Sequence, residues 1–352
     1  MTEKIDFYSM SKDELELWFQ SIGEPRFRAK QFFTWLHTGT PVSEMSNLSK
    51  KLREKITESM LDTLPRVELK LTSKIDGTVK YLFKLFDGAC IESVLMKYKH
   101  GNTLCISSQV GCLMGCKFCA STIGGKSRDL YPSELLGQII AAERDSGERI
   151  SNIVMMGIGE PLDNFKNVIK FLELLRDGDG LNIGYRHISL STCGIVPKIL
   201  ELAEYNFPIT LSISLHASND EKRSEIMPIN KKWNIKELLS ACVAYYKKTG
   251  RRISFEYTLI SGKNDTNADA DELSALLKNA FRGTGAPIHV NLIRVNEVKE
   301  TGFKEGSRES ADNFAKRLES SGIVATVRRR LGSDVNAACG QLRRASINKS
   351  EE

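Results

Sequence analysis

The sequence predicts an α/β fold, a partial (β/α)6 barrel that follows a small helical N-terminal domain and a short antiparallel β extension. Apolar residues recur at helical spacing before residue 62, and their period changes to two after residue 66. From about residue 101 onward, strand-like and helical stretches alternate. Repeated strand–helix units imply a parallel sheet with right-handed crossovers, and these units are too few for an eight-fold barrel.

The N-terminal domain, residues 1–62, is predicted to be helical. Ser11 and Glu14 have the spacing of a capping box, which marks the start of a first helix. A second helix is predicted over 26–37 and a third from about Ser49. The third helix carries four basic side chains, those of Lys50, Lys51, Arg53 and Lys55. These residues leave two interpretations open, the solvated face of a packing domain or a surface that docks RNA.

Residues 63–100 are predicted to form the antiparallel extension. Asp76-Gly77 and Asp87-Gly88 are hairpin turn signals between stretches of alternating apolar and polar residues. The middle strand of this extension has apolar residues at every second position, namely Val79, Tyr81, Phe83 and Leu85. The extension leads directly into the barrel.

The barrel is predicted to span residues 101–342 and to be followed by a polar, loose tail over 343–352. Its predicted strands are Leu104–Ser107, Asn152–Met156, His187–Thr192, Ile209–His216, Ile253–Ile260, Ile288–Arg294 and Ile323–Arg329. Helices are predicted between them, for example Pro132–Arg144, Phe165–Leu175, Ile235–Lys248 and Asp269–Phe281. In such barrels the reactive groups gather at the C-terminal ends of the strands.

Composition places limits on the class of protein. The 352 residues are 41% hydrophobic and 27% charged, which is ordinary for a globular protein. No apolar run approaches the roughly 20 residues that span a membrane, and the N-terminus lacks the shape of a signal peptide. The eight cysteines favour a reducing cytoplasm. The net charge of +6 is compatible with RNA binding but does not identify a partner.

A cysteine motif lies just after the first predicted barrel strand. Cys112, Cys116 and Cys119 have the spacing C-x3-C-x2-C, with Phe118 before the last cysteine. Three thiolates on one loop can hold three irons of a [4Fe–4S] cluster and leave the fourth iron open. That open iron could bind the amino and carboxylate groups of S-adenosylmethionine. A zinc site or three unrelated core cysteines are the alternatives, although no fourth zinc ligand follows at a familiar spacing.

Polar groups follow several predicted strands. Gly159 and Glu160 come after one strand, where glycine lets a ligand approach the backbone and Glu160 could accept a hydrogen bond from an ammonium group. Ser191 and Thr192 end the next strand, and the run from Ser214 through Leu215 to His216 ends the one after. The hydroxyls could equally be helix caps, and His216 could be a core histidine.

Five cysteines lie outside the motif. Cys339 stands between small residues that leave room around a thiol, and Cys105 lies seven residues before Cys112. Either could also be a buried structural cysteine. Cys90, Cys193 and Cys242 have no pattern around them and are predicted to be core residues.

Together these motifs resemble the RlmN family of adenine-C2 RNA methyltransferases. The similarity rests on 103–119, 156–162, 214–220 and 337–342, together with 23–31 near the N-terminus, and it extends over nearly the whole chain. Two departures affect only details of the pocket, Ile158 where the family often has methionine and Asn336 where aspartate is common. The resemblance implies a radical S-adenosylmethionine (radical SAM) barrel with an RNA-binding N-terminal domain.

The resemblance also implies roles for individual residues. It implies a [4Fe–4S] cluster on the three motif cysteines and two molecules of S-adenosylmethionine per turnover. Cys339 would be methylated and then joined to RNA, Cys105 would release the product by forming a disulfide with Cys339, and Glu92 would accept a proton. By similarity, S-adenosylmethionine is held by Gly159, Glu160, Ser191, Ser214, Leu215, His216 and Asn296.

The implied substrates are an adenosine of 23S rRNA near the peptidyl-transferase centre and the adenosine 3′ of the anticodon in certain tRNAs. The family also implies an electron donor such as flavodoxin or ferredoxin, and we expect a monomer that does not bind membranes. Two other functions stay open. One is the sister methylation at carbon 8 of the same rRNA adenosine, although that group often has alanine where this chain has Pro161. The other is a non-catalytic iron–sulfur protein that binds RNA or senses redox state.

Overall fold

The structure, a computed structural model, describes residues 4–296, 302–335 and 337. Its helices are α1 (Lys12–Ser21), α2 (Phe27–His37), α3 (Lys50–Ser59), α4 (Pro132–Ser146), α5 (Phe165–Arg176), α6 (Val196–Glu204), α7 (Asp220–Ile226), α8 (Ile235–Thr249), α9 (Asn267–Ala280) and α10 (Arg308–Ser320). Its strands are β1 (Arg66–Thr72), β2 (Val79–Lys84), β3 (Cys90–Tyr98), β4 (Gly101–Cys105), β5 (Gln109–Gly111), β6 (Lys126–Asp129), β7 (Ile150–Met155), β8 (Ile188–Thr192), β9 (Thr210–Ser214), β10 (Ile253–Leu259), β11 (Ile288–Arg294) and β12 (Val324–Val327).

One sheet organises the described part of the chain. Its strand order is β1-β2-β3-β4-β7-β8-β9-β10-β11-β12. Pairing is antiparallel from β1 to β4 and parallel from β4 to β12. The predicted α/β class, with an antiparallel extension joined to a parallel barrel sheet, is therefore confirmed. Among the described helices, none has both the length and the apolar character needed to cross a membrane.

The antiparallel extension differs from the predicted alternation of buried and exposed residues. β1 is an edge strand, and its apolar Val67 and Leu69 are 38% and 40% exposed. β2 is instead buried on both faces, because Lys80 and Leu82 are as buried as the predicted core residues between them. The Tyr81 face packs on α4, where Tyr81 donates to Asp145 (2.8 Å), and on the opposite face Lys80 pairs with the buried Glu92 (3.6 Å).

The N-terminal helices pack against the barrel. The predicted capping box is present, with Ser11 Oγ accepting from the main-chain N–H of Glu14 (3.3 Å). Lys12 forms ion pairs with Asp177 and Asp179, which follow α5 (2.9 and 2.6 Å). Lys30 also pairs with Asp179 (3.1 Å). This face therefore supports the packing interpretation.

The basic side chains of α3 lie outside these contacts with the barrel. Lys50, Lys51 and Lys55 are exposed, and none of them forms an ion pair within the part of the chain that the structure describes. A role of these three lysines in docking RNA stays a prediction. The predicted domain boundaries remain predictions, and the tail 343–352 lies outside the described residues.

Candidate active site

The C-terminal ends of the parallel strands surround a cavity of about 240 Å3, here called the main cavity. Nine residues predicted from the sequence line it: Cys112, Cys116, Cys119, Gly159, Glu160, Ser191, Ser214, His216 and Asn296. They come from different strand ends and from the cysteine loop, so the chain has to fold before they meet. This is the location that barrel folds use for their chemistry.

The cysteine loop is anchored at both ends and in its middle. β5 and β6 pair on either side of it, and the main-chain N–H of Cys112 donates to Gly125 O (3.2 Å). In the middle of the loop, the N–H of Lys117 donates to Ile226 O at the end of α7 (2.9 Å). These contacts hold the three thiols at the wall of the main cavity.

The thiols have the chemistry that an iron–sulfur cluster needs. Burial, opposed in part by a main-chain hydrogen bond at Met114, raises the pKa of Cys112 to about 12, and the neighbouring thiol of Cys119 adds to the rise. Burial and the same neighbours raise the pKa of Cys116. Thiols crowded in this way give up their protons when a cationic cluster binds, and soft thiolates suit iron–sulfur clusters. Within the described ranges, no three His, Cys, Asp or Glu side chains are arranged to hold a single metal ion.

Main-chain hydrogen bonds join the loop after β7 to the chain after β4. Gly157 N–H donates to Ile106 O (3.0 Å), and Ile158 O accepts from the N–H of Ser108 (2.8 Å). Glu160 is 3% exposed, and its two carboxylate oxygens accept from the N–H groups of Leu162 (3.0 Å) and Cys193 (2.7 Å). Burial raises its pKa, although these hydrogen bonds oppose the rise. An ionised carboxylate has about four acceptor sites, so Glu160 could also accept a hydrogen bond from a ligand's ammonium group.

The close surroundings of Gly157 predict that a side chain at this position would disturb the loop. A Cβ at this position would lie 2.6 Å from Ile106 O and 2.8 Å from Ser107 N, both main-chain atoms. Gly157→Ala is therefore expected to displace the loop, to lower stability by about 1–3 kcal/mol and to weaken S-adenosylmethionine binding. Gly178→Ala is the matched control, since a Cβ there meets no atom within 4 Å. Thermal unfolding and ligand titration test this, and equal behaviour of the two variants would contradict it.

His216 is held in an unusual backbone conformation. Its φ is +58°, which is uncommon for a residue with a side chain and often marks a functional position. Its Nδ1 accepts from the N–H of Thr258 (2.9 Å), so the proton of the neutral ring is on Nε2. Burial, together with the smaller effect of the Arg223 guanidinium, lowers its pKa to about 3. The ring is therefore a neutral donor at the cavity wall.

Buried polar groups hold the strand ends around His216. The main-chain O of Glu256 accepts from the N–H groups of Leu215 (3.1 Å) and His216 (3.2 Å). The fully buried Arg223 donates to the carbonyl oxygens of Cys193 (2.7 Å) and Ser214 (3.1 Å). Leu215 is 0% exposed and does not line the main cavity, and its predicted role in holding S-adenosylmethionine stays a prediction.

Cys105 lies in a second cavity of about 140 Å3, here called the thiol cavity. This cavity shares four wall residues with the main cavity: Met156, Ile293, Asn296 and Arg328. Its rim is basic, because Arg294, Arg329 and Arg330 line it in addition to Arg328. Burial raises the pKa of Cys105, and the nearby Arg328 guanidinium lowers it.

Two other predicted residues relate differently to these cavities. Glu92 lies on β3, is 4% exposed and lines neither of the two cavities. Cys339 lies outside the described residues. Ala337, two positions before it, lines the thiol cavity together with Cys105.

Several cavity residues were not predicted. Cys193 was expected to be plain core, but it lines the main cavity because it directly follows β8. Glu256, Thr258, Ile293 and Arg328 also line it. A charged residue such as Glu256 inside an otherwise apolar strand was the available signal, and Cys193 could have been found from its place at a strand end.

Comparisons with known proteins agree over the whole chain. A family model described as the Radical SAM superfamily matches residues 106–273, and one described as the Ribosomal RNA large subunit methyltransferase N-terminal domain matches residues 5–61. A probable dual-specificity RNA methyltransferase RlmN from Lachnoclostridium phytofermentans is 52% identical over 99% of this chain and 97% of its own length. A protein of the same name from Clostridium botulinum is 54% identical over 96% of both chains.

A solved structure agrees with these relatives. The crystal structure of a radical SAM methyltransferase from Sphaerobacter thermophilus matches with a TM-score of 0.90 at 40% identity, covering 96% of this chain and 98% of that one. The radical SAM family implies a [4Fe–4S] cluster and S-adenosylmethionine, and the cysteine loop and main cavity fit both. The chain therefore belongs to the RlmN family of radical SAM RNA methyltransferases and is an enzyme.

Proposed function

We propose that this enzyme methylates carbon 2 of an adenosine in 23S rRNA near the peptidyl-transferase centre and of the adenosine 3′ of the anticodon in tRNA. The relatives named dual-specificity RNA methyltransferases support two classes of RNA substrate. The proposal includes a cytoplasmic monomer that receives electrons from a flavodoxin or ferredoxin and uses two molecules of S-adenosylmethionine per turnover. The observation that carries it is the pair of adjoining cavities, one with the cluster thiols and one with Cys105.

The thiol cavity suits a nucleotide that has left its stack. Enzymes that act on a base extrude it into a pocket, and the flanking phosphates need cationic partners. Arg329 is exposed at the rim, while Glu305 holds both Arg294 (3.3 Å) and Arg330 (3.1 Å) in place. Guanidinium groups bind phosphate oxygens in a planar, two-pronged geometry. The basic rim therefore supports RNA as the substrate that reaches Cys105.

The thiols of Cys339 and Cys105 would act at different steps of the methyl transfer. Ala337 lines the thiol cavity together with Cys105 and stands two residues before Cys339 in the sequence, which supports the pairing of these two thiols. When bound, the cluster and S-adenosylmethionine supply the methyl group and the radical chemistry that an unreactive C–H position requires. Cys339 carries the methyl carbon, which becomes bonded to carbon 2 of adenine.

The remaining chemistry belongs to Glu92 and Cys105. The hydrogen on carbon 2 has to leave when the new carbon takes its place. Glu92 accepts it as a proton, and the cluster, when bound, would take up the one electron that radical addition leaves over. Cys105 then attacks the Cys339 sulfur. A sulfur–sulfur bond forms and the bond from sulfur to the RNA-linked carbon breaks, with its electron pair going to that carbon, which takes up a proton. Cellular thiols must reduce the disulfide before the next turnover.

Mass spectrometry of RNA tests this function. Total rRNA and tRNA from a deletion strain should lack 2-methyladenosine, and the gene for the intact chain should restore it. Appearance of 8-methyladenosine instead would favour the sister activity. Unchanged RNA in both classes would contradict the proposal.

The α3 lysines give a separate prediction about RNA binding. Replacing Lys50, Lys51 and Lys55 with glutamine should weaken binding of a tRNA transcript and reduce its salt dependence, because each lost phosphate contact removes counterion release. Glutamine at the exposed Lys236, Lys247 and Lys248 of α8 is the control. Fluorescence titrations at several salt concentrations measure both quantities. Equal affinities and salt slopes for the two variants would favour a packing role for the whole N-terminal domain.

A further inference from the structure

A buried ion pair lies beside the thiol cavity. Lys80 Nζ on β2 is 3.6 Å from Glu92 Oε2 on β3, and the two side chains are 0% and 4% exposed. Removing two charges from water costs about as much as their attraction returns, so such a pair adds little stability compared with apolar residues. Its neighbours on β2 are apolar and buried, and a further apolar residue would suit the sheet. Stability therefore does not explain why a lysine stands here.

Strand register places this pair on the same face as Cys105. Lys80 is directly opposite Val94, and Val94 is directly opposite Cys105. Residues directly opposite each other share a face, and so do residues two apart on one strand. Glu92 is two residues before Val94, so it is a diagonal neighbour of Cys105. Val94 and Cys105 both line the thiol cavity, which opens over this face.

β3, the strand that carries Glu92, is also held by a hydrogen bond from Ser107. Ser107 Oγ donates to the main-chain O of Glu92 (2.6 Å), and the same Oγ accepts from the N–H of Ile158 (2.9 Å). Glu92 is thus tied through one hydroxyl to the loop that forms the wall of the main cavity. The charged groups that act on Cys105 here are Arg328 and Lys80, which favour its thiolate, and Glu92, which opposes it.

We propose that Lys80 is a positioning residue for Glu92. Its ammonium group, 3.6 Å from the carboxylate, holds that side chain on the face of the sheet that carries Cys105, where Glu92 accepts the proton from carbon 2 of the target adenine. A carboxylate that is held less firmly is misplaced for the proton, and a displacement of this kind slows catalysis strongly. The inference rests on the proposed function, because it uses the role that the function gives to Glu92.

The test compares Lys80→Met, Lys80→Arg and Glu92→Gln with a 23S rRNA fragment that spans the peptidyl-transferase centre. Lys80→Met should form 2-methyladenosine about 100-fold more slowly at neutral pH. Lys80→Arg keeps the charge beside Glu92 and should keep a rate close to that of the wild type. Methylation of Cys339, measured by mass spectrometry of the isolated protein, should be unchanged in all three.

A further readout separates positioning from a structural role. Proton removal precedes attack by Cys105, so Lys80→Met and Glu92→Gln should both accumulate RNA attached to Cys339 although Cys105 is present. The double variant should be no slower than Glu92→Gln alone, because Lys80 acts through Glu92. Additive losses, or a Lys80→Met enzyme with the wild-type rate, would overturn the inference.

Two outcomes need their own controls. If Lys80→Met does not fold, Lys80→Met combined with Glu92→Leu restores an apolar pair, and this pair should fold, methylate Cys339 and trap RNA. Failure of that folded pair to trap RNA would count against the inference. A wild-type enzyme that forms no 2-methyladenosine would overturn the proposed function itself, whereas normal wild-type product with an unaffected Lys80→Met enzyme would overturn only the role of Lys80.

Discussion

Replacing Cys105 with alanine is expected to stop the reaction after RNA has become attached to Cys339. Cys105 is 7% exposed in the thiol cavity. In the proposed mechanism its thiol acts only when the bond between Cys339 and the RNA is broken. Without it, methylation of Cys339 and bond formation to adenine remain possible, but release does not. The expected product is a stable protein–RNA adduct, seen on a denaturing gel as a shifted band that nuclease removes. Formation of free 2-methyladenosine should fall below detection.

The core cysteine Cys242 provides the matched control. It is also buried, at 0% exposed, but it lines neither of the two cavities. Cys242→Ala should therefore form product and leave no adduct. A Cys105→Ala enzyme with normal turnover would contradict the assigned role of Cys105. An adduct that peptide mapping assigns to a residue other than Cys339 would contradict the role of that cysteine.

Replacing Cys112, Cys116 or Cys119 with alanine is expected to abolish the iron–sulfur absorbance of the reconstituted protein. Each residue would supply one of three thiolates, and two thiolates on this loop hold such a cluster poorly. Formation of 5′-deoxyadenosine from S-adenosylmethionine under reducing, anaerobic conditions should be lost with the absorbance. Visible spectra, iron content and chromatography of the nucleoside products measure these effects.

Cys193 is the control that separates membership of the cysteine motif from mere proximity to the cluster site. It lines the same cavity as the three motif cysteines, but it lies outside the motif, and its main-chain N–H is bonded to Glu160. Cys193→Ala should keep the iron–sulfur absorbance. A triple variant of the motif cysteines that still cleaves S-adenosylmethionine would contradict the cluster assignment, and loss of the cluster in Cys193→Ala would add a fourth ligand to it.

The regular helices and strands, and the caps and turns that mark their ends, were predictable from the sequence. Pro132 begins α4, Ser11 caps α1, and the parallel strands lie within a few residues of their predicted positions. These features depend on local signals, such as caps, turns and apolar spacing, which act over a few residues. The exposure of Val67 was not predictable in this way, because alternation does not reveal that a strand lies at the edge of a sheet.

The site was predictable where residues form motifs and not where tertiary contacts decide. The cysteine loop and Glu160 are recognisable from their neighbours in the sequence, and the structure brings them to one cavity. Cys193 and Glu256 become cavity residues only because their strands lie side by side in the sheet. The pairing of Lys80 with Glu92 depends on the register of β2 against β3, which single-residue patterns do not give.

The most direct test of the account follows the methyl carbon from Cys339 to the RNA. Enzyme that carries a 13C-labelled methyl group on Cys339 is supplied with unlabelled S-adenosylmethionine and a 23S rRNA fragment for a single turnover. Mass spectrometry of the digested RNA then reports the label. The account predicts 2-methyladenosine that contains the 13C atom, together with loss of the label from Cys339. Unlabelled 2-methyladenosine, with the label still on Cys339, would contradict transfer through this cysteine.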